Sequence, residues 1–143
     1  MNLIVDSNLI ISALISPNGT IARLIFNKLS SFTLFAPHYL LIEVNSKKAK
    51  ILSKTAYTET EFIELLQILI DRIEFVDEEL IPTNIWQEAY QLTNDVDEKD
   101  TVFVALAKYL NLNLWTGDKA LIKGLSAKGF NLLITAAELD KQL

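Results

Sequence analysis

Short, continuous apolar runs alternate along this chain with longer stretches whose apolar positions recur at helical spacing. The runs Leu3–Val5, Phe32–Phe35, Ile73–Val76, the segment around Leu114, and Leu132–Ile134 read as strands. Unbroken apolar character, rather than alternation, is what a parallel strand covered by helices on both faces carries. Helical spacing predicts helices over Leu9–Ile15, Ile21–Leu29 (broken by Ser30 and Ser31), Pro37 to about Lys50, Glu59–Asp71, Asn84–Leu92 and Glu98–Leu110. Another follows Asp118, carrying Leu121, Ile122 and Leu125, and the tail Ala136–Leu143 forms a last one. Pro17-Asn18-Gly19 and Gly129 mark turns, Pro37 and Pro82 stand where helices begin, and Thr58 with Glu61 forms a capping box.

Strands alternating with helices imply an α/β class, a three-layer α/β/α arrangement on a mainly parallel central sheet. No repeat, linker or low-complexity tract interrupts the pattern, so one domain is expected over residues 1–143. The helix over Glu59–Asp71 is apolar on two sides, with Phe62, Leu65, Leu66 and Leu69 on one and Ile63 and Ile70 on the other. Burial of both sides is expected, one against the domain and one against a second copy of the chain, making a homodimer.

Composition narrows the chemistry. The 143 residues include no cysteine and a single histidine, His38. Thiolate zinc sites, disulfides and multi-histidine sites within one chain are therefore excluded. A metal would have to be held by oxygen, which favours Mg²⁺ or Mn²⁺. The absence of cysteine fits a reducing, cytoplasmic setting, and the apolar N-terminus, with Asp6 in its middle and no basic leader, reads as strand plus helix rather than a signal peptide. No apolar run approaches the ~20 residues of a membrane helix, so no membrane partner is expected. Eighteen acids against 13 bases give a net charge of −5, which argues against a nucleic-acid partner unless bound cations offset it.

The acids are not scattered. Asp6 follows the first strand, Asp118 follows the strand at Leu114, and Asp97 and Asp100 head the apolar run Val102–Ala107. Glu43 lies on the helix after the second strand. Functional groups of parallel α/β sheets gather beyond the carboxyl ends of the strands, so all five could meet at one edge. Each acid also has a structural reading, as a helix cap for Asp6, Asp97, Asp100 and Asp118 and as a solvated helix residue for Glu43. Together they could hold one or two hard cations, which lower the pKa of water and neutralise a phosphodiester. Asp95 and Glu98 read as capping or solvated charge, and His38 as a helix-start residue.

The elements LIVDSN at the start, LLIEV after the second strand, DEKDTVFVALA and LWTGDKAL, in that order and over nearly the whole chain, resemble the PIN-domain nucleases. That family includes the toxin ribonucleases of bacterial and archaeal toxin–antitoxin pairs. The resemblance implies a PIN-like fold, an Mg²⁺ or Mn²⁺ site of one or two ions, an RNA substrate and, for a toxin, an antitoxin partner. Carried over by position, Asp6, Glu43, Asp100 and Asp118 look like the four family acids and Asp97 like an extra acid of many members. Asn8 and Thr116 match small polar positions that orient the acids or the water, and Arg23, Lys47, Lys48 and Lys119 are the RNA-contact candidates. The implied reaction is endonucleolytic, metal-assisted hydrolysis without a covalent enzyme intermediate, leaving a 5′-phosphate and a 3′-hydroxyl. The alternative is a non-catalytic PIN-like scaffold that binds protein or RNA. An aspartate-nucleophile phosphatase is disfavoured because Asn8 stands where that chemistry wants a second Asp. A receiver domain lacks a match for its paired N-terminal acids.

Overall fold

The computed structural model describes residues 1–28 and 32–142. Its five strands are β1 (Asn2–Val5), β2 (Thr33–Pro37), β3 (Ile73–Val76), β4 (Asn113–Trp115) and β5 (Leu133–Ile134), all parallel, in the order β3-β2-β1-β4-β5. Parallel neighbours cannot be joined by tight turns, so helices cross over between them and cover both faces. They are α1 (Ser7–Ile15), α2 (Thr20–Arg23), α3 (Tyr39–Ser46), α4 (Lys48–Ser53), α5 (Glu59–Ile70), α6 (Thr83–Thr93), α7 (Thr101–Leu110), α8 (Lys119–Ala127) and α9 (Ala136–Gln142). The result is a three-layer α/β/α arrangement on a parallel sheet. Among the described residues, no single helix is long and apolar enough to cross a membrane.

The core runs through β1, β4 and α7. Leu3, Ile4, Val5, Leu114 and Trp115 are wholly enclosed, and every residue of α7 from Thr101 to Ala107 is buried. Truncating Phe103 to Ala at the centre of that helix would cost about 3–5 kcal/mol through lost contacts and the cavity left behind. Asn111 closes α7 in the left-handed conformation (φ 54°), a position its short polar side chain tolerates.

Several element boundaries depart from the sequence reading. Pro37 ends β2, in register with Val76, instead of opening a helix. The helix α3 starts two residues later. The expected helix from Pro37 to Lys50 is two helices, broken at Lys47. There the Ser46 hydroxyl donates to the Glu43 carbonyl at 2.6 Å and takes up a carbonyl of the last turn. The helix predicted from Glu98 opens with a 3₁₀ turn, Glu98–Asp100, and a further 3₁₀ turn, Glu78–Leu80, precedes α6. The helix expected over Ile21–Leu29 is α2 continued by a π-helical segment, Leu24–Lys28. Leu29 and the break at Ser30 and Ser31 lie outside the described residues. On α5, Phe62 and Leu69 are buried while Ile63 and Ile68 stay exposed, so only one side of that helix is covered within the chain.

The strand order has a consequence for function. From β1, strands β2 and β3 are added outward on one side and β4 and β5 on the other, so the direction of strand addition switches between β1 and β4. A crevice opens at such a switch point beyond the carboxyl ends of the two strands. Asp6 stands at the end of β1, and Thr116, Gly117 and Asp118 at the end of β4.

Candidate metal centre

Asp6 is pinned at that switch point. Its backbone N–H continues the β1–β4 ladder to the Trp115 carbonyl at 3.1 Å. Its carboxylate caps α1, accepting from the Asn8 backbone at 3.3 Å, and takes the Thr116 hydroxyl at 2.8 Å. Thr116 in turn accepts the Asp118 N–H at 3.1 Å, so one fully buried hydroxyl links the ends of both central strands. Asp118 caps α8 by accepting from Leu121 N at 3.1 Å. Glu43 reaches in from α3 and accepts the Ser7 hydroxyl at 2.9 Å. Asp97 caps the 3₁₀ turn through Lys99 N at 3.0 Å, and Asp100 follows one turn later.

Electrostatics ties these residues together. Burial pushes the Asp100 carboxyl up to about 7, helped by repulsion from Asp6, Asp97, Asp118 and Glu43. Asp6 is raised by burial and by Asp118, against the hydrogen bonds from Thr116, Asn8 and Ser7. Glu43 is raised by burial and by Asp6 and Asp97, while its bond from Ser7 and the charge of Lys99 pull the other way. The five acids named from the sequence therefore share one electrostatic neighbourhood. Among the described residues, no three of them close into a ready ligand group. Asp100 Oδ2, however, is buried with no hydrogen-bond partner. Leaving such an atom without a partner costs free energy that a cation bound there would offset. An all-oxygen, acid-rich donor set with an orphaned carboxylate oxygen fits a hard divalent cation.

The remaining sequence candidates are placed less centrally. Asn8 acts through its backbone, and its side chain is exposed. Ser7, not singled out from the sequence, is the buried side chain that orients Glu43. Its signal was a polar residue on the buried stripe of α1 that also holds Ile10 and Leu14. Arg23, Lys47 and Lys119 are exposed. Lys48 is engaged elsewhere, 3.7 Å from Glu59 and 6.0 Å above the Phe62 ring. Asp95 pairs with Lys128. Lys99, also unanticipated, is the cation whose charge reaches Glu43.

Fold and crevice define a parallel α/β protein with a carboxylate centre at the switch point of its sheet. A PIN-domain family model matches residues 4–138, and the chain belongs to that family of nucleases. Among solved structures it is similar to VapBC2 from Rickettsia felis, crystallised with a DNA fragment from their promoter. That likeness has 16% identity and a TM-score of 0.68 over 94% of this chain and 97% of the other. PAE2754 from Pyrobaculum aerophilum is also similar, at 16% identity and a TM-score of 0.62 over 97% and 92%. No curated protein matches in sequence.

Proposed function

We propose that this protein is a metal-dependent endoribonuclease and the toxin component of a toxin–antitoxin pair. The observation that carries the reading is Asp100: a buried carboxylate with an unpartnered oxygen, repelled by Asp6 after β1, Asp118 after β4, Glu43 on α3 and Asp97. Asp6, Glu43, Asp100 and Asp118, with Asp97 beside them, would hold one or two Mg²⁺ or Mn²⁺ ions. A divalent cation in such a site supplies an acidified water and charge neutralisation for the phosphodiester.

The chain's own residues set the geometry. Thr116 holds Asp6 and the turn to Asp118 in fixed relation. Ser7 holds Glu43 across from them. Asp100, whose carboxyl burial pushes up to about 7, is an acid whose ionisation would couple to cation binding. Hydrolysis then adds water across the P–O bond, leaving a 5′-phosphate and a 3′-hydroxyl, with no enzyme ester formed. Arg23, Lys47 and Lys119, all exposed, would meet the phosphate backbone.

The same reading extends to partners. VapBC2 was crystallised with promoter DNA, and an antitoxin partner for this chain follows by analogy of fold. A homodimer would cover the exposed Ile63 and Ile68 on α5, and a cytoplasmic location suits a cysteine-free chain. Cleavage of structured and unstructured RNAs in Mn²⁺, with wild type beside Asp6→Asn and Asp100→Asn, tests the proposal. Cleavage by wild type and its loss in both variants is expected. Equal cleavage by all three would sink the site assignment. No cleavage by any of them would favour a non-catalytic scaffold.

A further inference from the structure

Beside the carboxylate centre lies an aromatic groove that the hydrolytic reading does not use. Two adjoining cavities of about 400 and about 420 Å³ share Trp86, Glu98 and Thr101 as lining residues and so form one depression. Tyr39 lies at one end and the exposed Tyr90 at the other. The groove is anchored to the centre through the chain itself, because Glu98, Lys99 and Thr101 flank Asp100. Thr101 is held in place by a 2.6 Å bond to Thr93 on α6, the helix that carries Trp86. Lys99 faces both ways: it lines the groove, and its charge stabilises the Glu43 carboxylate.

Resting on the ribonuclease reading, we propose that this groove is a base-specificity subsite that stacks one unpaired guanine of the RNA on Trp86, with Glu98 reading its Watson–Crick edge. Single-stranded RNA is recognised by stacking splayed bases on aromatic side chains and hydrogen-bonding their edges. A half-buried indole next to the hydrolytic centre offers such a face. The charge of the groove selects the base. Glu98 makes no side-chain hydrogen bond to another described residue, whereas the other lining carboxylate, Glu78, spends its oxygens on His38 and Tyr39. A carboxylate accepts two parallel N–H bonds, and among the bases only guanine presents two adjacent donors, N1–H and the N2 amino group, on that edge. Adenine presents a ring acceptor there, and uracil flanks its single N–H with carbonyls that the carboxylate repels. Lys99, on the side of the centre, is placed for the phosphate joining that nucleotide to the next.

The test uses fluorescently labelled single-stranded tetranucleotides, three uridines with one guanosine, one adenosine or one further uridine, in chelator so that nothing is cut. Anisotropy gives affinity. The fluorescence of Trp86, against the enclosed Trp115, reports stacking. The guanosine oligonucleotide is expected to bind roughly tenfold tighter than the others and to quench Trp86. Glu98→Gln, at an exposed position, should erase the preference while leaving the fold intact. Trp86→Phe should keep part of the affinity and Trp86→Ala lose roughly tenfold. Lys99→Ala should weaken all three oligonucleotides alike. Equal affinities in the wild type, or a guanine preference that survives Glu98→Gln, overturn the proposal. So does quenching of Trp86 by an arginine-rich peptide but by none of the oligonucleotides, which would assign the groove to a protein partner. Because binding is read without cleavage, the two readings fail separately. Guanine preference in a protein that cuts no RNA would leave the subsite standing, and RNA cutting with unaltered site choice in Trp86→Ala would leave only the nuclease.

Discussion

Glu78 and Asp100 are both carboxylates near the start of a helix, and their surroundings are opposite. Glu78 comes from a separate turn to cap α3, accepting from the His38 and Tyr39 backbones at 2.9 and 3.0 Å and from the His38 ring at 3.2 Å. Burial would raise its pKa, but these hydrogen bonds outweigh it and hold the carboxyl below its ordinary value. Asp100 heads α7 without capping it, leaves one oxygen unpartnered, and is pushed up to about 7. One carboxylate has its charge satisfied by the fold, so its role is structural. The other is left unsatisfied, and proteins retain such destabilised charges where binding or chemistry compensates them.

The contrast can be broken by substitution. The largest effect is expected from Asp100→Asn, which should lower RNA cleavage by at least roughly a hundredfold, the upper end of what is lost when a residue merely supporting a metal ligand is removed. In the cation-free protein the same change should raise thermal stability near neutral pH, because one of five mutually repelling acids becomes neutral. A loss of both activity and stability would assign Asp100 a structural role like that of Glu78.

Dependence on pH sharpens the same point. An unfolded Asp titrates near 3.8 and folded Asp100 at about 7, so between those values the folded chain holds the extra proton. The stability linked to this group is present below about pH 4 and is lost as the pH rises through 7, a change on the order of a few kcal/mol. Asp6 and Glu43 are shifted in the same direction and add to it. Thermal melting in chelator should therefore show greater stability at pH 5 than at pH 8, and Mn²⁺ should reverse much of the loss. A melting temperature that climbs from pH 5 to pH 8 in chelator would contradict the assignment.

Smaller effects are expected from the supporting residues. Ser7→Ala frees Glu43 and should weaken cation affinity roughly tenfold, with little change in melting temperature. Glu78→Ala should cost about 0.5–2 kcal/mol, the usual loss of a helix cap, while cation affinity stays unchanged. Comparable losses of cation affinity in the two variants would erase the distinction between the carboxylates.

Much of this was legible in the sequence for local reasons. Continuous apolar runs exposed the parallel strands, and Asp6 directly after β1 and Asp118 three residues past β4 could be placed at the sheet edge because a strand's end fixes where the next residues go. The sheet order was not legible, since pairing of β1 with β4 joins residues more than a hundred positions apart in sequence, as the Asp6–Thr116 hydrogen bond does. Ser7 was hidden because a hydroxyl at a helix start is already explained by capping, and only the approach of Glu43 from α3 gives it a second role. Pro37 and Lys47 misled because local propensity at a strand end and at a helix break is decided by neighbours, here the partner strand at Val76 and the Ser46 hydroxyl. Gly124 shows the same limit. A side chain there would meet Val96 Cγ2 at 2.7 Å, so this glycine lets α8 pack against the segment that carries Asp97, a contact visible only in the folded chain.

Asp100, with its unpartnered oxygen at the head of α7, and the neighbouring Asp6, Glu43 and Asp118 should together bind a divalent cation. Calorimetric titration of Mn²⁺ into wild type, Asp100→Asn and Glu78→Gln at pH 7.5 tests that prediction most directly. One or two ions should bind the wild type and Glu78→Gln with matching affinity, and Asp100→Asn should bind at least roughly tenfold more weakly. No binding to the wild type at millimolar Mn²⁺, or equal affinity in Asp100→Asn, would contradict it.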